Sequence, residues 1–399
     1  SLRSSICKRA CGSCLGYATA AMCLEPQVVS DLQKERFIKI EARRKELEDE
    51  IRRIDVAGIP EHLREVYRCT LTKFEDVLAV DEFDVGKSTI LPQQLEIGSE
   101  DRIPKGTEGT ERALPKSLKW VVEDYIERLR DAGIIQKSAS PFKSPLLLIR
   151  KEGRPDEPPV INQYRVVHDY RRLNENTTID KYPLPNLYEL VDTVARKGVW
   201  TVINLSSGCW NQELEPESRP YTAFGLSGLG HWEYTRSAHG LCNSPIAFQR
   251  LLDYVLDGLA GVYVYTEEII IGTDTHEEQI KTLERVFNRF RQFGMKCQIS
   301  RIQLGATRVH YLGYDILSGG KMKVGCVRVH PVSAWNTPVS GKEAKHFLNL
   351  CSIFKRSVPK FTTAASPLAQ VADTQSTWRG GLLPGPAVDA FYKLKGSII

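Results

Sequence analysis

Residues 262–271 read Val-Tyr-Val-Tyr-Thr-Glu-Glu-Ile-Ile-Ile, and residues 200–209 read Trp-Thr-Val-Ile-Asn-Leu-Ser-Ser-Gly-Cys. The first has the pattern of strand–turn–strand over 261–272, with residues 269–271 as the second apolar arm. The second contains an apolar run over 199–205, the mark of a buried strand. A strand that ends in Asn204 and a hairpin whose turn carries Glu267 and Glu268 can converge three side chains on one point. Two Mg²⁺ ions about 4 Å apart, held by hard carboxylate oxygens at about 2.1 Å, use such a point to clamp attacking and leaving oxygens.

Outward from this pair, helical and strand patterns mix without regular alternation, which predicts an α+β fold. An amphipathic helix is expected from Ser30, with Phe37, Ile40, Leu47, Ile51 and Ile54 as its apolar stripe and Gly58 and Pro60 as its stop. The body of the protein is the expected receiver of that stripe. Residues 84–114 are rich in Gly, Pro, Thr and charge and predict an extended linker. Pro115 should open a second helix that ends at Gly133. Strands are expected at 145–149, 164–167 and 309–317, and helices at 244–259, 276–293 and 341–357. The last thirty residues, with Gly380, Gly381, Pro384, Gly385 and Pro386, read as loop-rich.

Composition narrows the class. Of 399 residues, 42% are hydrophobic and 26% charged, which excludes wholesale disorder. No apolar run approaches the roughly 18 residues needed to cross a bilayer, so no transmembrane segment is expected. The net charge of +5 is too small for a dedicated nucleic-acid-binding domain but permits such contacts. Ten cysteines in a chain of this length predict reduced thiols in an intracellular setting. Residues 1–24 hold Arg3, Lys8 and Arg9 with one acid-free run of small residues up to Leu24, a composition resembling the end of an organelle transit peptide. A mitochondrial location is the corresponding expectation; a retained basic tail has the same composition. Cys7, Cys11, Cys14 and Cys23 are compatible with a zinc or iron–sulfur site, and equally with free thiols.

The chain resembles reverse transcriptases, in particular those of gypsy-type LTR retrotransposons. Asp-Leu-x-x-Gly-aromatic on one strand and Tyr-x-Asp-Asp on the hairpin are that family's signature, and the two segments above stand in their places. Further blocks run in the same order from about 114 to 394: GIIQKSASPFKSPLLLIRK, YRVVHDYRRLNENT, KYPLPNLYELVD, HGLCNSPIAFQRLLDYVL, GMKCQISRIQLGATRVHYLGYDILSGG and FLNLCSIFKRSVPKFTTAASPLAQ. The terminal FYKLKGSII is similar to the family's connection segment leading to ribonuclease H. The resemblance implies a right-hand polymerase with this division: an N-terminal extension over 1–110, a fingers-like region and entry to the palm over 111–198, the palm over 199–320, and a thumb- or connection-like region over 321–399. Ribonuclease H, protease and integrase segments are not expected within it.

The departures from the family fall at the chemistry. Asn204 replaces the first catalytic Asp, Glu267 and Glu268 replace the Asp pair, and Cys209 replaces the aromatic beneath the nucleotide sugar. The amide of Asn204 carries no charge, and each Glu is one methylene too long to hold two ions at the same spacing. Changes merely around metal ligands cost about 10–100-fold, so changes of the ligands themselves should cost more. The expectation is a catalytically silent protein that has lost its Mg²⁺ and needs no cofactor. Arg165 stands where the family's fingers strand carries an Arg for the incoming triphosphate, with Arg150 or Lys151 as the assisting base. All three read also as solvated basic side chains, and the loop over 153–163 separates them. His239, beside Gly240, stands where the family has an aromatic and reads as a packing substitution. The expected role is a structural subunit of a larger assembly of protein subunits. A nucleic-acid-binding module that holds RNA or DNA in the ancestral cleft is the alternative, and an active polymerase the remaining one.

Overall fold

The computed structural model describes residues 26–103, 118–150, 164–205, 207–226, 228–317, 319–355, 358–372 and 383–398. Helices α1 (Pro26–Arg53) and α2 (Glu61–Lys73) precede short strands β1 (Leu78–Ala79) and β2 (Ser88–Gln93). Next come α3 (Lys119–Asp131), β3 (Ile135–Lys137), β4 (Leu146–Arg150), β5 (Tyr164–His168), α4 (Arg171–Glu175) and α5 (Leu187–Ala195). The central part holds β6 (Val199–Asn204), β7 (Gln212–Leu214), β8 (Phe224–Leu226), β9 (Gly230–Tyr234), α6 (Ser244–Val255), β10 (Val262–Tyr265), β11 (Glu268–Thr273) and α7 (His276–Gln292). After it follow β12 (Cys297–Gln298), β13 (Ile302–Ala306), β14 (Arg308–Tyr311), β15 (Tyr314–Leu317) and β16 (Lys321–Val324). Helices α8 (Cys326–Ala334), α9 (Gly341–Ser352), α10 (Phe361–Ala372) and α11 (Gly385–Ile398) complete the described chain.

The centre is a four-stranded antiparallel sheet in the order β10-β11-β6-β13. Its two central strands, β6 and β11, read as nearly continuous apolar runs because both faces are covered. Ile203, Leu205, Ile269 and Ile271 join one core with α1, α2, α6 and α7, through Leu47, Leu71, Phe248, Leu252 and Phe287 among others. Trp200, Val202 and Ile270 point the other way, into a core with α5 and the β14–β16 sheet. The alternation follows from the two-residue period of a strand. Trp200 is fully buried and donates from Nε1 to the Val194 carbonyl at 2.9 Å. Two further cores flank the sheet. One gathers α3, β3, β4 and β7–β9 around Trp210 and Trp232; the other holds α8–α11 around Phe347 and Phe391.

The helix expected from Ser30 begins at Pro26 and ends at Arg53, with Leu47 and Ile51 buried against the sheet's helices. Arg43 fixes its angle, donating to Asp84 at 2.7 Å and to the Leu78 carbonyl at 2.6 Å. The described part of the expected linker, 84–103, is packed instead. Strand β2 pairs in parallel with β7, and Leu95 and Ile103 are buried beside Trp210. Backbone pairing replaces the missing apolar anchors, and it requires Gly86. A Cβ there would lie 2.3 Å from the Gly294 carbonyl oxygen, in the place where Lys87 N donates to that same oxygen at 2.6 Å. The expected loop-rich end is also different where described. Residues 385–398 form α11, burying Ala387, Ala390, Phe391 and Leu394 at helical spacing. Of the residues that suggested a loop, Pro384, Gly385 and Pro386 sit at its start, where Pro is tolerated, and Gly380 and Gly381 lie outside the described residues. The helix expected from Pro115 is described from Lys119 onward.

Candidate functional site

Strand β6 delivers Asn204 and the β10–β11 turn delivers Glu267 and Glu268 to the same end of the central sheet. Glu268 opposes Asn204 across the ladder, and Leu205 N donates to the Glu267 carbonyl at 2.7 Å. The turn is strained: Thr266, a β-branched residue, has φ of +51°. It is held by Gln249 of α6, which is fully buried and accepts the Thr266 N–H at 2.5 Å.

The convergence of the three side chains is therefore present, but their chemistry is not that of a two-ion centre. Asn204 donates from Nδ2 to one Glu268 oxygen at 3.2 Å, and the Leu312 N–H donates to the other at 3.0 Å. Both Glu268 oxygens are thus engaged within the protein. Glu267 lies in a poorly solvated position, which raises its carboxyl to about 7 against the opposing pull of Arg165. An amide without charge and a carboxylate whose two oxygens are both hydrogen-bonded within the protein are a poor match for a pair of hard divalent ions.

Cys209 lies on the turn after β6, over residues 208–211, and is buried. Gly208 before it is obligatory, since a Cβ there would meet Leu205 Cβ at 2.7 Å and the Phe248 ring at 2.9 Å. His239 stacks edge-on against Trp210, with ring centroids 4.9 Å apart, and its Nδ1 is 3.4 Å from Cys209 Sγ. Burial lowers this imidazole to about 4 and pushes the Cys209 thiol well up. Glu267 completes the group: one ligand atom from each of Cys209, His239 and Glu267 lies within 4.8 Å of the others. His239, expected only to fill space, thus packs and also adjoins two potential ligands.

His239 and Glu267 border a cavity of about 490 Å³, and Cys209 lies behind its lining. Arg165, exposed on β5, lines it with His239, Glu267, Tyr125, Tyr234 and Arg301. Arg150 stands at the far end of the β4–β5 pair, opposite Tyr164, and does not line the cavity. Lys151, the loop over 153–163 and Cys7, Cys11, Cys14 and Cys23 fall outside the described residues. Sequence reasoning did not find Tyr125, His168, Tyr234 or Arg301 as cavity residues. His168 accepts or shares a hydrogen bond with Tyr234 Oη at 2.9 Å, and burial lowers it to about 3. Each reads locally as an ordinary strand or helix residue, and only packing brings them together. No helix among the described residues is long and apolar enough to cross a membrane.

Residues 149–316 match the family described as reverse transcriptase (RNA-dependent DNA polymerase). The chain is 31% identical over 280 residues to the Pol polyprotein of transposon 297 of Drosophila melanogaster, covering 70% of this chain and 26% of that one. It is 29% identical over 257 residues to the Pol polyprotein of transposon gypsy of the same organism, covering 63% and 24% respectively. The chain thus spans about a quarter of the length of these curated relatives. The foamy viral protease–reverse transcriptase, solved in complex with double-stranded DNA, superposes with a TM-score of 0.73 at 21% identity, over 90% of this chain and 60% of that one. This likeness gives the fold, a polymerase palm in a mixed helix and strand setting. Residues 149–316 are a reverse transcriptase domain whose homologues are the Pol polyproteins of gypsy-type LTR retrotransposons.

Proposed function

We propose that this reverse transcriptase body no longer synthesises DNA and serves as a structural subunit of a larger protein assembly. One observation carries the first half: the three positions where the family places metal-binding carboxylates hold an amide, a doubly hydrogen-bonded carboxylate and a desolvated carboxyl. Nucleotidyl transfer through two ions depends on charge at these positions, because the ions neutralise the charge that develops on the phosphate. Mg²⁺ is accordingly no resident cofactor in this reading. The continuity of the cores on both faces of the central sheet supports the second half, since a fold can persist as a body after its site has changed. The composition of residues 1–24 makes mitochondria the compartment of the proposal.

A second reading has its own support. The foamy viral relative of the fold was solved with double-stranded DNA, and Arg165 lines the cavity. Binding of RNA or DNA without synthesis would use phosphate contacts and weaken steeply with salt.

Primer extension with Mg²⁺ and with Mn²⁺ tests the silent centre. The expected result is background incorporation with both; incorporation that disappears in Glu267→Ala overturns it. Purification of the tagged chain from its own source, with mass spectrometry after a high-salt wash, tests the assembly. A defined stoichiometric set of proteins supports it. Recovery alone, or with salt-labile nucleic acid, replaces it with the second reading.

A further inference from the structure

We infer that Cys209, His239 and Glu267 form a binding site for one borderline-soft divalent cation, with Zn²⁺ as the ion that fits the donor set. The three ligand atoms lie within 4.8 Å of one another, and Sγ and Nδ1 are 3.4 Å apart. Tetrahedral Zn²⁺, with bonds of about 2.0–2.3 Å, spaces its ligand atoms about 3.3–3.7 Å apart, so the closest pair already has the required separation. Only small side-chain adjustments would bring Glu267 in.

The donor chemistry is selective. A thiolate and an imidazole beside a single carboxylate suit Zn²⁺ and its neighbours, whereas Mg²⁺ takes oxygen ligands. Of the three ancestral metal positions the site uses Glu267 alone; Asn204 and Glu268 are engaged with each other. The cavity opens onto His239 and Glu267, which leaves room for water as a fourth ligand.

The backbone beneath each ligand is fixed independently. Gly208 locks the turn that carries Cys209. Gln249 holds the turn that carries Glu267. Asn174 Nδ2 donates to the Gly240 carbonyl next to His239 at 2.8 Å. Such preorganisation reduces the conformational entropy lost on coordination. On coordination the Cys209 thiol releases its proton to solvent and binds as thiolate, as does whatever fraction of Glu267 is protonated. Thiolate and carboxylate together balance the charge of the ion.

The inference does not rest on the silence of nucleotidyl transfer. Metal occupancy reads one and primer extension the other, and either can fail alone.

The test uses the full chain in a background where Cys7, Cys11, Cys14 and Cys23 are replaced by Ser, which removes the competing N-terminal thiols. Co²⁺ is the probe, because thiolate-to-cobalt charge transfer reports sulfur ligation and Zn²⁺ can be titrated against it. The expected result is one Co²⁺ per chain with a charge-transfer band, displaced by Zn²⁺. Cys209→Ser should abolish that band, and His239→Gln should weaken binding by at least about 10-fold. Absence of Co²⁺ and Zn²⁺ binding in the four-serine background overturns the inference, as does a band that survives Cys209→Ser. Should either variant fail to fold by circular dichroism, X-ray absorption of Zn²⁺ on the parent decides. One sulfur with nitrogen and oxygen neighbours supports the site, and a shell of nitrogen and oxygen alone overturns it.

Discussion

From Trp200 to Ile203, strand β6 sends alternate side chains into two apolar cores; one residue further, at Asn204, the same strand enters a polar cluster with Glu268, Glu267, Cys209 and His239. Within the sheet, propensity, period and burial agree: the apolar residues lie in apolar cores, and the fully buried Thr201 accepts the Gly305 N–H at 3.0 Å. At the rim they disagree. A threonine occupies a left-handed turn, a carboxyl is kept from water, and a thiol faces an imidazole. The difference shows that the energy holding a palm together resides in a different set of residues from those that perform its chemistry. Ligands at the rim can therefore change while the sheet keeps its register.

The contrast is sharpest for Trp200→Ala. Removing a fully buried indole and its bond to Val194 should destabilise the protein by about 3–5 kcal/mol, read from urea unfolding. A loss below about 1 kcal/mol would mean that the sheet interior is less consequential than its burial suggests. Gly208→Ala comes next. Overpacking against Leu205 and Phe248 should cost about 1–3 kcal/mol and displace Cys209, lowering both the unfolding midpoint and the affinity for Co²⁺.

Glu267→Gln should act in the opposite direction. The carboxyl ordinarily ionises near 4.5 but is held at about 7 in the folded state. Between those values the folded protein binds more protons than the unfolded one, so the contribution to stability falls as pH rises. Below about 4.5 both states are protonated and the penalty is absent; above about 7 it is complete. In metal-free protein the glutamine variant should therefore gain about 1–3 kcal/mol above pH 7 and little at pH 4. Chemical denaturation across that range checks it, and a pH-independent difference would contradict the desolvation of Glu267. The smallest effect is expected for Thr266→Asn, which accepts a left-handed φ more readily while keeping the N–H donated to Gln249. A gain of about 0.5–1 kcal/mol in unfolding free energy is expected.

Much of the fold was legible in the chain itself. The hairpin over 262–273, the buried strand over 199–204 and the helix over 276–292 follow from local period. The departures at Asn204, Cys209, Glu267 and Glu268 were equally visible, because the charge, length and shape of a side chain are properties of the residue. Their consequence was only partly visible. The second hydrogen bond to Glu268 comes from Leu312, and the turn before Glu267 is held by Gln249, both far along the chain from Asn204.

Other features had no local signal. Residues 88–93 pair in parallel with 212–214 through backbone groups, so their composition could not reveal the strand. The apolar face of α11 was masked by the Gly and Pro at its start. Cys209 and His239 stand 30 residues apart and Glu267 lies further on, and no spacing rule joins them. The sequence alone thus determined the elements with a clear local period and the residue types at the ancestral metal positions, since both depend on residue type and near neighbours. Tertiary structure alone decided which side chains are withdrawn from water and which distant ligands meet, because desolvation and proximity exist only once the elements pack.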